Sequence, residues 1–321
     1  MNNNRRKFLQ NSSLLVTGYL LAKPFKTVAG TPTGNFLNTG IQSNAVSIMH
    51  TNDLNGRLSP FNYGQLTNIG GLYNIHSAVN NKNGSRILVD AGNFLDGASQ
   101  FSDQVNMISL MNKANYTAVT IGDTELSKGE EHLASLIGHM NFNIVNCNYN
   151  FSNPVLKAKI LPYHIVRYGN YKIGITGVGP VLSNKGYAKD IQCSHPYERA
   201  NEVAKYLKGQ LNCDLVVCLS HLGYEHKNGL PDNKKFAAAS ENIDIIIGGH
   251  DKAIAHPQLI AKNNEKKQVV VSNGGYGGSV MGTVTFGFDK DNTLQTFNSK
   301  NYIPGSIAGS SFYEGYKKLS A

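Results

Sequence analysis

Short apolar runs alternate along the chain with stretches whose apolar positions recur at helical spacing. Strand-like runs fall at 46–50, 86–91, 118–121, 143–146, 172–178, 215–219, 243–247, 269–272 and 281–288. Helical periodicity covers 72–79, 104–113, 130–139, 196–211 and 233–239. Pro196 opens one of these helices, and Lys205 and Lys208 lie near its end, in keeping with first-turn proline and the helix dipole. Strands that alternate with helices predict an α/β domain with helices covering sheets. No internal repeat or linker interrupts the pattern, so one domain is expected over 45–305. A polar lead-in (30–44) precedes it and a tail or helix (306–321) follows.

Polar and ionisable residues collect where the apolar runs end. Asp53 follows the first run, Asn93 the second, Asp123 the third, His221 the sixth and His250 the seventh. In α/β sheets the carboxyl ends of strands meet at a common crevice where ligands bind. A lone His at a strand end is usually a capping or surface residue. Five coordinating side chains at five strand ends instead predict a metal centre.

Composition changes this picture little. The chain has 321 residues, 40% of them hydrophobic, enough for a globular core. The formal charge of +9 is concentrated at the start. The first 30 residues carry five basic and no acidic side chains, which leaves the remainder near +4. That is an ordinary solvated surface, and nucleic-acid binding is not expected. Arg5-Arg6-Lys7-Phe8-Leu9, a short apolar stretch and the small-residue exit Thr27-Val28-Ala29 read as a secretory signal over 1–29. The paired arginines resemble a twin-arginine signal; an ordinary Sec signal with coincidental arginines is the alternative. Either route predicts an exported, periplasmic or extracytoplasmic protein without a stable membrane span, the apolar stretch being only about ten residues. Cys147, Cys193, Cys213 and Cys218 form no CxxC motif, and the sequence names no disulfide pair.

The strand-end loops carry a family resemblance. His50-Thr51-Asn52-Asp53-Leu54-Asn55-Gly56-Arg57 resembles the HTNDxHGR loop of 5′-nucleotidase-type metallophosphatases, of the calcineurin-like metallophosphoesterase superfamily. Leu88-Val89-Asp90-Ala91-Gly92-Asn93 resembles their LxDAGD segment, and Gly122-Asp123-Thr124-Glu125 stands where they have GNHE. Ser220-His221-Leu222-Gly223 matches SHLG, and Ile246-Ile247-Gly248-Gly249-His250-Asp251-Lys252 matches IIGGHxH or IIGGHxQ. The resemblance runs in order from about residue 44 to 290 and covers the family's N-terminal catalytic domain. It implies a calcineurin-like four-layer sandwich, two mixed β-sheets flanked by α-helices. It also implies two divalent metals that polarise a phosphoryl group and activate water.

The departures fall on the metal loops. Asn55 replaces a His, Asn93 the bridging Asp, Asp123 an Asn, Thr124 the His that assists phosphoryl transfer, Ser127 that His's partner Asp, and Lys252 the last metal-one ligand. Only Asp53, His221 and His250 match outright. Metal one would rest on Asp53, Asn55, Asn93 and Lys252, a poor cation site because a protonated Lys has no lone pair. Metal two would rest on Asn93, Asp123, His221 and His250, a credible set for one zinc, iron or manganese ion. The expectation is therefore one divalent metal or none, with Lys252 paired to Asp53 near the eroded site. Activity is expected to be reduced, single-metal or absent. Asp123, Thr124 and Lys252 are the positions from which any remaining chemistry would come, Lys252 by stabilising charge on a phosphoryl oxygen.

The resemblance further implies a nucleotide or small phosphoester ligand. The alternative is an inactive binding module working with a separately encoded nucleotidase C-terminal domain. Phe312, Tyr313 and Tyr316 in the tail read as helix packing rather than a base platform. Gly274-Gly275-Tyr276-Gly277-Gly278 lacks a P-loop's context and reads as a tight connection near the site. Asp90 is expected to support neighbouring backbone, and His76, His132, His139 and His226 to serve surface or packing roles.

Overall fold

The computed structural model describes residues 45–80, 86–182, 186–289 and 294–305, apart from the side chain of Tyr187. The signal, lead-in and tail expected at the two ends lie outside these residues. In chain order the strands are β1 (Ala45–Thr51), β2 (Phe61–Tyr63), β3 (Leu66–Ile69), β4 (Ile87–Asp90), β5 (Ala118–Val119), β6 (Asn143–Val145), β7 (Tyr149–Asn150), β8 (Ile160–Leu161), β9 (Tyr163–Tyr168), β10 (Tyr171–Val178), β11 (Gln192–Cys193), β12 (Leu215–Ser220), β13 (Ile245–Gly248), β14 (Leu259–Lys262), β15 (Gln268–Asn273), β16 (Met281–Phe288) and β17 (Leu294–Tyr302). The helices are α1 (Gly71–Asn80), α2 (Phe101–Lys113), α3 (Asp123–Leu126), α4 (Glu130–Ile137), α5 (Pro154–Lys159), α6 (Pro196–Gly209) and α7 (Asn233–Ala239).

Two mixed sheets form, in the orders β17-β16-β1-β4-β5-β6-β8 and β14-β15-β13-β12-β10-β9. β1 runs parallel to β4 and antiparallel to β16, and β12 runs parallel to both β10 and β13. The apolar runs are continuous because the central strands are buried on both faces. Along β12, Leu215, Val217 and Leu219 face the other sheet, while Val216 and Cys218 face helices. Along β1, Val46 and Ile48 enter the layer between the sheets and Met49 packs on the opposite side. The middle layer joins Ile87 and Val89 to Ile173, Ile175, Ile245 and Ile247. α1, α2 and α4 cover the first sheet with Leu72, Met107, Met111, Leu133 and Leu136, and α6 and α7 cover the second with Val203, Leu207 and Phe236. Each such side chain contributes about 1.5–3 kcal/mol by leaving water. The four-layer sandwich expected from the sequence is the observed one.

The alternation of β1 also explains a buried histidine. His50 is in phase with Val46 and Ile48, so it enters the layer between the sheets and lies 2.9 Å from Ser272 Oγ on β15. Burial pushes its pKa down to about 3, so it packs as a neutral ring. All four cysteines are free thiols, three of them buried. No helix among the described residues is long and apolar enough to cross a membrane.

Candidate metal centre

The parallel strands of both sheets deliver their carboxyl ends to one crevice. The backbone there is unusual: Asp53, Asn55, Asn93 and His250 all have positive φ, between 47° and 90°. Left-handed backbone at non-glycine residues is sparse and collects at functional sites, where surrounding bonds enforce it. The enforcing bonds are specific. Asn52 Nδ2 and the His250 amide each donate to Asp53 Oδ2, at 2.8 Å in both cases. Asn52 Oδ1 accepts from the Gly274 amide (2.6 Å), and the Gly277 amide donates to the Asp53 carbonyl (2.8 Å). The glycine-rich segment is thus the close connection expected, clasped onto the first loop. Asp90 likewise supports backbone, accepting from the Gly92 amide and from Thr51 Oγ1.

Asp123, His221 and His250 meet, each offering one donor atom, with all three atoms within 4.8 Å of one another. His221 Nδ1 lies 2.7 Å from the Ala91 carbonyl, which places a proton on that nitrogen and turns Nε2 toward the crevice. His221 Nε2, His250 Nδ1 and Asp53 Oδ1 are buried without a hydrogen-bond partner. Asp123 Oδ1 stands 3.7 Å from both ring nitrogens, too far for a hydrogen bond. Buried polar atoms seldom remain unpaired, and three of them aimed into one space fit a cation.

The convergence also sets the electrostatics, and a cation would have to displace the proton that the carboxylates favour on His221. The neighbouring His221 holds the Asp123 carboxyl well below the usual range. Burial opposes charge on His221, but Asp123 and Asp53 outweigh it and lift the ring to about 9. Burial pushes Asp53 and Glu125 upward, and burial together with His221 pushes His250 downward.

Asn93 and Asp123, which exchange carboxylate and amide relative to the family, touch each other. Asn93 Nδ2 donates to Asp123 Oδ1 at 3.1 Å. Its oxygen is occupied, accepting from the Thr124 amide (3.0 Å) and Thr124 Oγ1 (2.9 Å). Asn93 therefore presents its NH2 to the triad and fixes Asp123. Ser127 caps α3 by donating to the Thr124 carbonyl. Only glycine fits at 122, since a Cβ there would lie 2.1 Å from Asn93 Oδ1 and 2.6 Å from His221 Nε2. Glu125 underpins the arrangement: its carboxylate accepts from the Gly122, Asn93 and Leu95 amides.

The expected Lys252–Asp53 ion pair does not form. Asp53 is fully buried and already takes two N–H donors, whereas Lys252 is exposed. Bringing an ammonium down to the fully buried Asp53 would strip it of water, a cost that pairing with one carboxylate oxygen does not repay. Asn55 stays in the first loop, with its Nδ2 buried and unpartnered.

Several neighbours were not singled out by sequence. His226, assigned a surface or packing role, has its ring 6.2 Å from that of His250. Tyr224 stacks on His256 (4.6 Å, 14°), and Asp251 accepts from the Tyr224 amide and faces His256 Nε2 at 3.3 Å. No spacing signal marks these residues; the turn after His221 brings them to the turn after His250.

No family model matches the chain. A snake venom 5′-nucleotidase of Gloydius brevicauda is 25% identical over 301 residues, covering 81% of this chain and 48% of that protein. The solved 5′-nucleotidase precursor of Thermus thermophilus superposes with a TM-score of 0.71 at 23% identity, covering 86% of this chain and 58% of that one. The calcineurin-like phosphoesterase YfkN of Bacillus subtilis gives 0.66 at 24% identity, covering 86% and 96%. The chain spans about half the length of the venom enzyme. It is similar to 5′-nucleotidases, over their N-terminal region, and is built on the calcineurin-like phosphoesterase fold.

Proposed function

We propose that this chain is an exported, single-metal, 5′-nucleotidase-like phosphoester-binding domain with much reduced or no hydrolytic turnover. The observation that carries the reading is the convergence of Asp123, His221 and His250, with two unpartnered ring nitrogens aimed at one carboxylate. These three residues would hold the ion, and two imidazoles with one carboxylate suit zinc, iron or manganese. When bound, the ion supplies a Lewis acid for a phosphoryl oxygen.

The chain's own residues limit the chemistry available around that ion. Asn93 orients Asp123 but spends its oxygen on Thr124. The Thr124 hydroxyl donates within the loop and has no imidazole's capacity to deliver a proton at neutral pH. Loss of a positioned acid or base removes ~10²–10⁴ in rate. Asn55 and the exposed Lys252 add no anionic ligand on the Asp53 side. The export part of the reading rests on Arg5-Arg6 and the short apolar stretch after them.

The test is phosphate release from nucleoside 5′-monophosphates by zinc- or manganese-loaded protein, beside the double variant His221→Ala/His250→Ala. The expected result is slow or absent release that the double variant abolishes. Turnover at ordinary enzymatic rates, about 10 s⁻¹, would contradict the proposal. Activity surviving in the double variant would place the chemistry outside this crevice.

A further inference from the structure

Beside the triad a cavity of about 640 Å³ opens, lined by Tyr224, Glu225, His226, His250, Asp251, Lys252, Ala253 and His256. Its size lies within the range of small-molecule sites. Its charges are unevenly committed. Glu225 is paired with Lys234 at 3.0 Å. Asp251 is engaged by the Tyr224 amide and by His256. His226 spends Nε2 on the Leu222 carbonyl at 2.7 Å. Among the described residues, Lys252 alone of the lining charges has no ion pair or hydrogen bond, and it is exposed. The cleft therefore presents one ammonium without a partner, beside a Glu225 paired to Lys234 and an Asp251 whose carboxylate is turned to the Tyr224 amide and His256. The stacked rings of Tyr224 and His256 form part of its wall, held by Lys234 over the Tyr224 ring at 5.9 Å.

We propose that this cleft is an anion-binding subsite of its own, taking the acidic group of a small aromatic phosphomonoester on Lys252 with the planar part along the Tyr224–His256 wall. The choice of a phosphoester rests on the function proposed above; the charge and the wall belong to the cleft itself. The substitution that removes a potential metal ligand at position 252 thereby supplies a cationic contact that needs no metal. Lysine suits this role as a flexible point charge with three donors and no lone pair. The aromatic wall gives this chain a planar recognition element within its own described residues.

The test is calorimetric titration of adenosine 5′-monophosphate, adenosine and inorganic phosphate into chelator-treated and zinc-loaded protein. Wild type, Lys252→Gln and Tyr224→Leu are compared with the exposed control Lys262→Gln, and thermal melting verifies that each is folded. In chelator-treated protein the monophosphate is expected to bind more tightly than adenosine or phosphate. Lys252→Gln should weaken it at least about tenfold, the scale of one charge-assisted contact. Tyr224→Leu should weaken the monophosphate and leave phosphate unchanged, and Lys262→Gln should change nothing. Equal binding by wild type and Lys252→Gln, or no advantage of the monophosphate over adenosine, overturns the proposal. Binding that needs zinc and ignores Lys252 overturns it while leaving the metal centre standing. Lys252-dependent binding in a protein that never takes up metal sustains the cleft and defeats the single-metal reading.

Discussion

The two halves of the crevice come from the same fold and meet different fates. On the side of β12 and β13, His221 and His250 converge with Asp123, and their inward nitrogens lack protein partners. On the side of β1, Asp53 Oδ2 is held by Asn52 and the His250 amide while its Oδ1 is unpartnered, Asn55 has an unpaired side-chain NH2 and Lys252 is exposed. Backbone scaffolding is equally well built on both sides, by Glu125 on one and by Asn52 with the glycine-rich segment on the other. The difference therefore lies in side-chain chemistry alone. A fold can keep the loops of a metal site in place while individual donors are exchanged.

The strongest way to break the contrast is to rebuild the weaker half. Asn55→His, Asn93→Asp, Thr124→His and Lys252→His in one protein should raise metal content to two equivalents. Phosphatase activity should rise by ~10²–10⁴, the scale of a restored acid or base. Next in size, His221→Ala should weaken zinc binding by at least about 10²-fold in chelator competition, beyond the range that supporting residues control.

A third experiment separates scaffold from site by pH. Burial pushes the Asp90 carboxyl up from 3.8 to about 7. The folded state thus holds a proton that the unfolded chain releases earlier. The associated stability is complete below pH 3.8 and is lost as pH rises through about 7. Asp90→Asn should remove that slope, with a gain over wild type on the order of 4 kcal/mol at pH 8 relative to pH 4, read from urea unfolding at both pH values. The smallest effect belongs to Thr124→Ala. It deletes one hydroxyl donor to Asn93 and should cost about 1 kcal/mol, with a few-fold loss of zinc affinity through a looser Asp123.

Much of the fold was legible because the central strands are buried on both faces. The runs at 46–50, 172–178, 215–219 and 281–288 each lie within an observed strand. What escaped is mostly marginal: β9, β14 and β17 lie at sheet edges, where half-exposed positions mix polar with apolar residues. α5 could have been found, since Asn153-Pro154 is an N-cap followed by a first-turn proline, and Asn153 Oδ1 accepts from the Val155 and Leu156 amides. At the site, strand-end position predicted which loops would meet. It could not tell that Asn93 turns its NH2 toward Asp123, because an amide's orientation depends on Thr124 across 31 residues. The failed Lys252–Asp53 pair has the same origin: sequence gives the charges, while burial decides whether they meet.

The central claim is that the crevice holds one divalent ion on Asp123, His221 and His250. It is tested most directly by elemental analysis of the mature protein after gentle dialysis against excess zinc, iron or manganese. The account predicts close to one equivalent, lost in His221→Ala/His250→Ala. No bound metal, or two equivalents in the unaltered chain, would contradict it.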